Sequence, residues 1–138
     1  LRPEFPWGRH AIHVVILNEH EAKTLCGVGP AGLRQSKVFR LRALGQMNAG
    51  ALIVTRGARP TLCITPEGCQ CMTPPRVTPV DTVGAGDAFA GVLAARLASG
   101  EKLERAVAHA NCAGALATLK VGAQEALPNR RQVDLLAT

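Results

Sequence analysis

The stretch Asp81-Thr82-Val83-Gly84-Ala85-Gly86-Asp87 lies between an extended segment and the strongest helical pattern in the chain. From Ala85 onward, apolar residues recur at helical spacing and predict an amphipathic helix with Arg96 off its apolar face; these are Phe89, Val92, Leu93 and Leu97. Glycines at a helix start let a ligand approach the backbone, and the free N–H groups of the first turn point outward with the helix dipole behind them. The stretch therefore predicts an anion site built from main-chain amides.

Asp87 adds a carboxylate to this anion site, which opposes an anionic ligand unless the acid has a chemical task. The N-terminus of a helix favours the charged form of an acid, so Asp87 can accept the proton of an alcohol that attacks a phosphoryl group. The amides of Gly84, Ala85 and Gly86 would then stabilise the charge on the transferred group. The alternative is a simple helix start with Asp87 in its first turn.

The same stretch, followed by Ala88-Phe89-Ala90-Gly91, resembles the second signature of the ribokinase family of carbohydrate and nucleoside kinases, D-T-x-G-A-G-D. Every fixed position of the pattern matches. The resemblance implies an α/β fold of the ribokinase-like type, a three-layer α/β/α sandwich. It also implies ATP and Mg²⁺ as cofactors and Asp87 as the catalytic base.

The resemblance further implies a monovalent cation site, for K⁺, beside the phosphate loop. In the family, the equivalents of Asp81 and of the main chain near Val83 help to hold this cation, and the site is closed by backbone carbonyls in a turn that corresponds here to residues 120–124. The alternative for Asp81 is a turn acid that bonds backbone amides, and the sequence leaves both open.

A second motif follows the β-branched run Ala11 to Leu17, which predicts a buried parallel strand. The residues from Asn18 to Gly27 resemble the family's N-x-x-E motif, whose Asn and Glu act around magnesium and the nucleotide phosphates. This assigns Asn18 and Glu21 to that role, and Glu21 also to the metal. The alternative is a helix N-cap at Asn18 with Glu21 completing a capping box.

Two further stretches carry nucleotide-binding expectations. Ala51 to Thr55 predicts another buried strand, and Thr55-Arg56-Gly57 at its end resembles the family's T-x-G, which lines the nucleotide phosphates. Asn111, inside a predicted helix from about Lys102 to Lys120, resembles the position that approaches the adenine ring. Asn is polar and has a low helix propensity, so a lone Asn inside a helix needs a reason to be there. The alternative for Asn111 is a side chain that faces solvent.

The remaining elements are predicted from pattern alone. We expect one helix from about Ala31 to Asn48, closed by Gly50, and a glycine-turn hairpin that joins Thr61–Thr65 to Gln70–Thr73. The apolar face of the predicted helix from Ala31 to Asn48 comprises Leu33, Lys37, Leu41, Leu44 and Met47. The helix near Lys102 carries a small-residue face suited to close packing, comprising Leu103, Val107, Ala110, Gly114 and Ala117. A terminal helix starts at Pro128-Asn129, with apolar contacts from Val133, Leu135 and Leu136.

Composition bounds these readings. The 138 residues are 47% hydrophobic and only 3% aromatic, which predicts one domain with an aliphatic core over residues 1–138 and argues against single-strand binding by stacking. The net charge of +6 is dispersed, with its densest group between Arg34 and Arg42. Such a group is more often a solvated helix face than a nucleic-acid footprint.

Five cysteines without a C-x-x-C pair indicate free thiols and a cytoplasmic location, and no apolar run reaches the length of a membrane span. Cys69-x-Cys71 offers two ligands of a metal site, but no His or Cys pair at zinc-finger spacing accompanies it.

The sequence as a whole predicts ATP-dependent phosphoryl transfer to a hydroxyl of a sugar or nucleoside-like substrate, with neither nucleic acid nor membrane as partner. Family members are longer, so we expect the chain to be the C-terminal, nucleotide-binding half, with the substrate and lid portion absent. The identity of the sugar, and whether the full-length protein is a homodimer, stay open. The alternatives are a catalytically incomplete nucleotide-binding fragment or split-protein subunit and, on charge alone, a basic nucleic-acid-binding domain.

Overall fold

The computed structural model describes residues 6–122 and 124–137, and the first part of the chain contains a parallel pair of strands. The chain divides into two units between Cys71 and Met72. The first unit contains, in order, β1 (Ile12–Asn18), α1 (Glu19–Cys26), α2 (Pro30–Gln35), α3 (Lys37–Met47), β2 (Ala49–Thr55) and β3 (Thr61–Ile64), and β4 (Cys69–Met72) ends at the division. The strands occur in the order β1-β2-β3-β4.

Register places the strand ends that carry two of the predicted motifs side by side. β1 and β2 are parallel, and Asn18 is the register partner of Thr55. β3 then runs antiparallel to β2, with Val54 opposite Leu62. Both apolar runs form strands, with slightly different bounds than predicted. β2 is buried from Ala51 to Val54 as predicted, but β1 is buried only at Val15 and Leu17, so the prediction of a buried strand holds there only in part.

The core of the first unit lies between these strands and the helices that follow β1. One hydrophobic cluster contains Leu17, Leu33, Leu44, Met47, Leu52, Val54, Leu62 and Ile64, all of them buried. Burying each aliphatic side chain of this size stabilises the fold by about 1.5–3 kcal/mol. The cluster therefore fixes where β1 and β2 end, and with them the residues that follow.

The predicted helix from Ala31 to Asn48 is in fact two helices, so that prediction was wrong at its centre. Ser36 has an extended backbone (φ −112°, ψ 117°) and its side chain caps α3 by accepting a hydrogen bond from the Phe39 amide at 3.3 Å. The break turns the second helix, so Lys37 and Leu41 are exposed instead of sharing a face with Leu33.

The end of α3 also differs from the prediction. Asn48, in the left-handed conformation (φ 48°), closes the helix, and not Gly50. Its side-chain amide donates to the His10 carbonyl at 3.0 Å, which compensates for the strained backbone. Gly50 instead lies within β2, where a Cβ atom would meet the His13 carbonyl oxygen at 3.1 Å.

The hairpin is confirmed. Thr65 and Gly68 exchange two backbone hydrogen bonds, of 2.9 and 3.2 Å, across the turn that joins β3 to β4. β3 is fully buried, whereas β4 is half-buried to exposed and stands at the end of the strand order.

The second unit is helical where it is regular, with α4 (Ala85–Ala98), α5 (Leu103–Ala117) and α6 (Arg130–Ala137). The predicted small-residue face of α5 is confirmed, because a Cβ atom at Gly114 would lie 3.3 Å from the Ala85 carbonyl oxygen. Phe89 and Leu93 of α4 are buried as expected. Arg96, predicted off the apolar face, is mostly buried and forms an ion pair with Asp134 of α6.

The terminal helix is confirmed, but only one of its three predicted apolar contacts is buried. Asn129 and Gln132 cap α6 reciprocally, with backbone-to-side-chain bonds of 2.9 and 3.0 Å. Val133 packs against Cys112 and Ala113, while Leu135 is 70% and Leu136 39% exposed. The prediction for these two leucines was therefore wrong. Across residues 6–122 and 124–137, no helix is both long and apolar enough to cross a membrane.

Candidate functional site

The glycine-rich stretch forms a tight turn that delivers the chain into α4. Gly84 occupies the N-cap position with φ 83° and ψ −5°, a left-handed conformation that is disfavoured for residues with a Cβ atom. No side chain caps this helix start. A Cβ atom built at Gly86 would meet nothing within 4 Å, so the first turn faces open space.

Three amides of this turn have no acceptor within the described residues, those of Gly84, Gly86 and Asp87. Ala85 differs from the expectation, since its amide donates to the Thr82 carbonyl at 3.3 Å. It is thus already used in closing the turn, although the bond is long. The amide of Asp87 takes its place among the free donors, and the sequence analysis missed it because the hydrogen-bond pattern of a turn depends on its backbone angles.

The side chain of Asp87 is exposed in the first turn of α4. It is not withdrawn into the apolar interior, where Ala88 and Phe89 lie. An accessible carboxylate next to acceptor-free amides can take a proton from a group that the amides help to hold.

Asp81 is fully engaged with backbone amides. One carboxylate oxygen accepts from the Val83 amide at 3.0 Å and the other from the Gly122 amide at 3.2 Å. These two hydrogen bonds, the Val83 bond first, lower the pKa of Asp81 below its ordinary value. Asp81 therefore ties the glycine-rich turn to the turn after α5, which is the geometry of the turn-acid alternative.

The predicted cation site also includes Val83 and the turn at residues 120–124, and the structure describes only part of that turn. Val83 is 63% exposed, and Gly122 has φ 92°. Ala123, part of the turn predicted to close the site, lies outside the described residues. Among the residues that are described, no group of three or more His, Cys, Asp or Glu side chains could hold a metal ion.

In the first unit, Asn18 and Glu21 form a complete capping box at the start of α1. The Glu21 amide donates to Asn18 Oδ1 at 2.9 Å, and the Asn18 amide donates to Glu21 Oε2 at 2.8 Å. Glu21 Oε1 takes no part in this box. The helix-cap alternative therefore describes the local structure, and Asn18 remains exposed.

Thr55 is the last residue of β2 and the register partner of Asn18, and Arg56 and Gly57 follow it. The Thr55 hydroxyl donates to the Leu17 carbonyl at 3.4 Å, and Gly57 turns the chain with φ 62°. Arg56 donates through Nε to Glu19 Oε1 at 2.8 Å and through Nη1 to the Pro60 carbonyl at 3.3 Å.

Glu19 also pairs with Arg59, so this carboxylate joins two arginines at the strand ends. No sequence motif indicated Glu19. The register of the parallel strands could have indicated it. Asn18 and Thr55 are register partners, so the residues that follow them, Glu19 and Arg56, lie next to each other.

Asn111 lies in α5 and is only 6% exposed. Its side-chain amide donates to the Met72 carbonyl at 3.2 Å. The solvent-facing alternative for Asn111 was therefore wrong, and burial with a hydrogen-bond partner accounts for a polar residue inside a helix.

The structure thus brings the predicted residues together in two groups. Asn18, Glu21 and Thr55-Arg56-Gly57 share the strand ends of the first unit. The stretch from Asp81 to Asp87 is continuous at the start of α4 in the second unit, with Asn111 in α5.

Comparison with known proteins gives a consistent family. Residues 7–130 match the pfkB family of carbohydrate kinases. Aminoimidazole riboside kinase of Salmonella typhimurium is 39% identical over 118 residues, which are 82% of this chain and 36% of that protein. The chain thus spans about a third of the length of this relative.

Solved structures agree with the sequence match. Phosphofructokinase-2 from Escherichia coli in complex with potassium has a TM-score of 0.80 at 26% identity, over 95% of this chain and 42% of that one. A fructokinase double mutant from Vibrio cholerae O395, with fructose, ADP and a potassium ion bound, has a TM-score of 0.76 at 34% identity, over 91% and 40%. The predicted fold class, a partial ribokinase-like α/β fold, is confirmed, and the chain belongs to the pfkB family of carbohydrate kinases.

Proposed function

We propose that this chain supplies the nucleotide-binding and phosphoryl-transfer part of an ATP-dependent kinase that acts on a hydroxyl group of a sugar or sugar-like substrate. One observation carries the proposal: the exposed carboxylate of Asp87 adjoins backbone amides of Gly84 and Gly86 that have no acceptor within the described residues. Donors of this kind at a helix start are typical of phosphate sites.

The proposed chemistry follows from charge. In phosphoryl transfer the negative charge on the moving group needs preorganised donors, and the acceptor hydroxyl must lose its proton. The Gly84, Gly86 and Asp87 amides serve the first need, and the Asp87 carboxylate serves the second as general base. Ala85, included by the sequence prediction, joins these donors only if its long bond to Thr82 opens.

Magnesium is proposed to be held through Asn18 and Glu21. Mg²⁺ prefers oxygen ligands and keeps several of its waters, so a side-chain amide and one carboxylate meet its needs. The capping box leaves Glu21 Oε1 outside the helix cap, so the residues present fit a water-mediated ion. Bound there, the ion would neutralise phosphate charge.

The rest of the nucleotide is proposed to be bordered by Thr55, Arg56 and Gly57 on the phosphate side and by Asn111 on the adenine side. Gly57 with its positive φ leaves the backbone bare after β2. Arg56, held by Glu19, presents its guanidinium at the strand ends. Asn111 is buried in α5, where its side-chain amide donates to the Met72 carbonyl.

K⁺ is proposed to bind beside Asp81 and Val83, as two of the similar structures contain potassium. The carboxylate of Asp81 accepts hydrogen bonds from two backbone amides, which fits a role in shaping the loop. Backbone carbonyls near Val83 would then be the ligands of K⁺.

Residues 1–138 are proposed to be the ATP-binding portion of a longer kinase. Proteins similar to this chain include a riboside kinase, a fructokinase and a ribokinase, and they set the substrate class to be tested.

The experiment is a substrate screen on the complete polypeptide that contains this chain. ATP and Mg²⁺ are supplied with ribose, fructose and ribonucleosides in turn, and phosphorylated product is detected by mass spectrometry. We expect transfer to a hydroxyl of one of them. Binding of MgATP without transfer to any acceptor would instead support the nucleotide-binding alternative, and tight, steeply salt-dependent binding to nucleic acid without ATP binding would contradict the kinase proposal.

A further inference from the structure

Cys69 and Cys71 form a thiol pair on β4 that the proposed kinase chemistry does not use. Residues two apart in a strand point to the same face, and Gln70 between them points to the other. Cys69 packs against the edge of the hydrophobic cluster formed with α1, α2 and α3. The Cys69 thiol donates a weak hydrogen bond to the Gln70 carbonyl at 4.0 Å, and Cys71 is near enough to raise the pKa of Cys69.

The pair is accessible from solvent. Cys71 is exposed, Cys69 is half-buried, and β4 stands at the end of the described strand order. Cys26 and Cys63, the other thiols of the first unit, are half-buried and buried. The chain therefore presents two neighbouring thiols at one place on its surface.

Two arginines lie near enough to act on this pair, Arg34 at the end of α2 and Arg40 in α3. Burial, the largest effect, raises the pKa of Cys69, as does the neighbouring Cys71, whereas Arg40 and Arg34 lower it. The two arginines therefore offset only part of the rise in the pKa of Cys69 that burial causes.

Ligand number limits which metal fits. Structural zinc sites take four ligands, but no group of three or more His, Cys, Asp or Glu is found among residues 6–122 and 124–137 that could hold a metal. Thiolates select soft ions such as Cu(I). A Cu(I) ion with two thiolates carries a net charge of −1, which two guanidinium groups complement.

We propose that Cys69 and Cys71 form a two-coordinate site for a soft monovalent cation, Cu(I). Binding forms two S–Cu bonds and breaks two S–H bonds, and both protons pass to solvent. No oxidation state changes. The site is independent of the proposed kinase function, so its failure would leave that proposal untouched.

The test is an anaerobic titration of the full chain with Cu(I) in competition with the colorimetric chelator bicinchoninate. We expect the wild-type chain to remove one Cu(I) per molecule, with release of two protons. Cys71→Ser should lose this uptake at least tenfold, and Cys69→Ser likewise. Cys26→Ser, a thiol of the same unit outside the pair, should retain it, and Arg34→Gln should bind a few-fold more weakly.

Folding is checked by circular dichroism without metal. Because Cys71 is exposed, Cys71→Ser decides the matter if Cys69→Ser fails to fold. Wild-type chain that leaves all Cu(I) on the chelator, or a folded Cys71→Ser chain that still takes one equivalent, would overturn the proposal. Binding of Zn(II) with equal affinity would contradict two-coordinate selectivity.

Discussion

Two acids six residues apart on one stretch, Asp81 and Asp87, have opposite surroundings. Asp81 gives both carboxylate oxygens to backbone amides, while Asp87 is exposed at the start of α4. The first acid shapes the loop and the second is available for chemistry. Residue type and spacing alone could not distinguish them, because Gly122, which occupies one oxygen of Asp81, lies 41 residues away in sequence.

We predict that the Asp81 carboxyl titrates with a midpoint below the ordinary value of 3.8. Because its pKa is lowered in the folded state, Asp81 stabilises the fold above that value, and this stabilisation is lost as the pH falls through the lower, folded-state pKa. A carbon-detected NMR titration of the side-chain carboxyl measures the midpoint. A midpoint at or above 3.8 would show that Asp81 does not accept hydrogen bonds from the Val83 and Gly122 amides.

Glu21→Gln separates the two roles given to this residue. Gln supports a capping box, so we expect the thermal unfolding midpoint to change little. If Glu21 also helps to hold magnesium, the Mg²⁺ concentration required for activity of the complete protein should rise by about 10–100-fold. Glu125→Gln, an exposed acid outside both groups, is the control and should leave the requirement unchanged. An unchanged requirement in Glu21→Gln would restrict Glu21 to helix capping.

Among the secondary-structure elements, features that depend on neighbouring residues could be predicted from the sequence, whereas contacts between distant residues could not. The capping box of Asn18 and Glu21 and the hairpin turn depend on neighbours in sequence, so both could be predicted without a structure. The pairing of Glu19 with Arg56 and Arg59 spans about forty residues, and only the parallel register of β1 and β2 brings these groups together. The break at Ser36 was missed because a serine cap inside a continuous apolar pattern leaves that pattern almost intact.

Two glycines of the helix pair α4 and α5 provide a matched test of packing. At Gly114 an added Cβ would lie 3.3 Å from the Ala85 carbonyl, whereas at Gly91 it would meet nothing within 4 Å. We predict that Gly114→Val destabilises the second unit by about 1–3 kcal/mol through overpacking. Gly91→Ala should stabilise it by about 0.5–1 kcal/mol through reduced backbone freedom.

Chemical denaturation of both variants and the wild type measures these changes. Because Gly114 lies against the first residue of α4, its substitution also displaces the start of the proposed anion site. Equal stability changes at the two positions would show that α4 and α5 do not pack as closely as the structure indicates.

For the whole molecule, composition set limits and the motifs supplied the family. The match over residues 7–130 confirms the sequence-based family assignment. This chain covers 36% of aminoimidazole riboside kinase and 42% of phosphofructokinase-2, so the family match does not identify a sugar. A single domain stays a prediction, since the chain divides into two units at Cys71 and Met72.

The net charge of +6 suits a polyanionic nucleotide through general attraction, but it identifies no ligand. The charges are dispersed along the sequence, with the densest group between Arg34 and Arg42. What distinguishes a kinase from a charged binding module is the reaction itself, and that places the decisive test on Asp87 in the complete protein.

We propose that Asp87 removes the proton of the acceptor hydroxyl while the adjacent amides hold the transferred group. The measurement compares kcat and the dissociation constant for MgATP in wild type and Asp87→Asn. Glu104→Gln serves as control, since Glu104 is an exposed acid in the first turn of α5. We predict that Asp87→Asn lowers kcat by about 10²–10⁴-fold with ATP affinity largely retained, as expected for a general base. Turnover equal to that of the wild type and of Glu104→Gln would contradict the account.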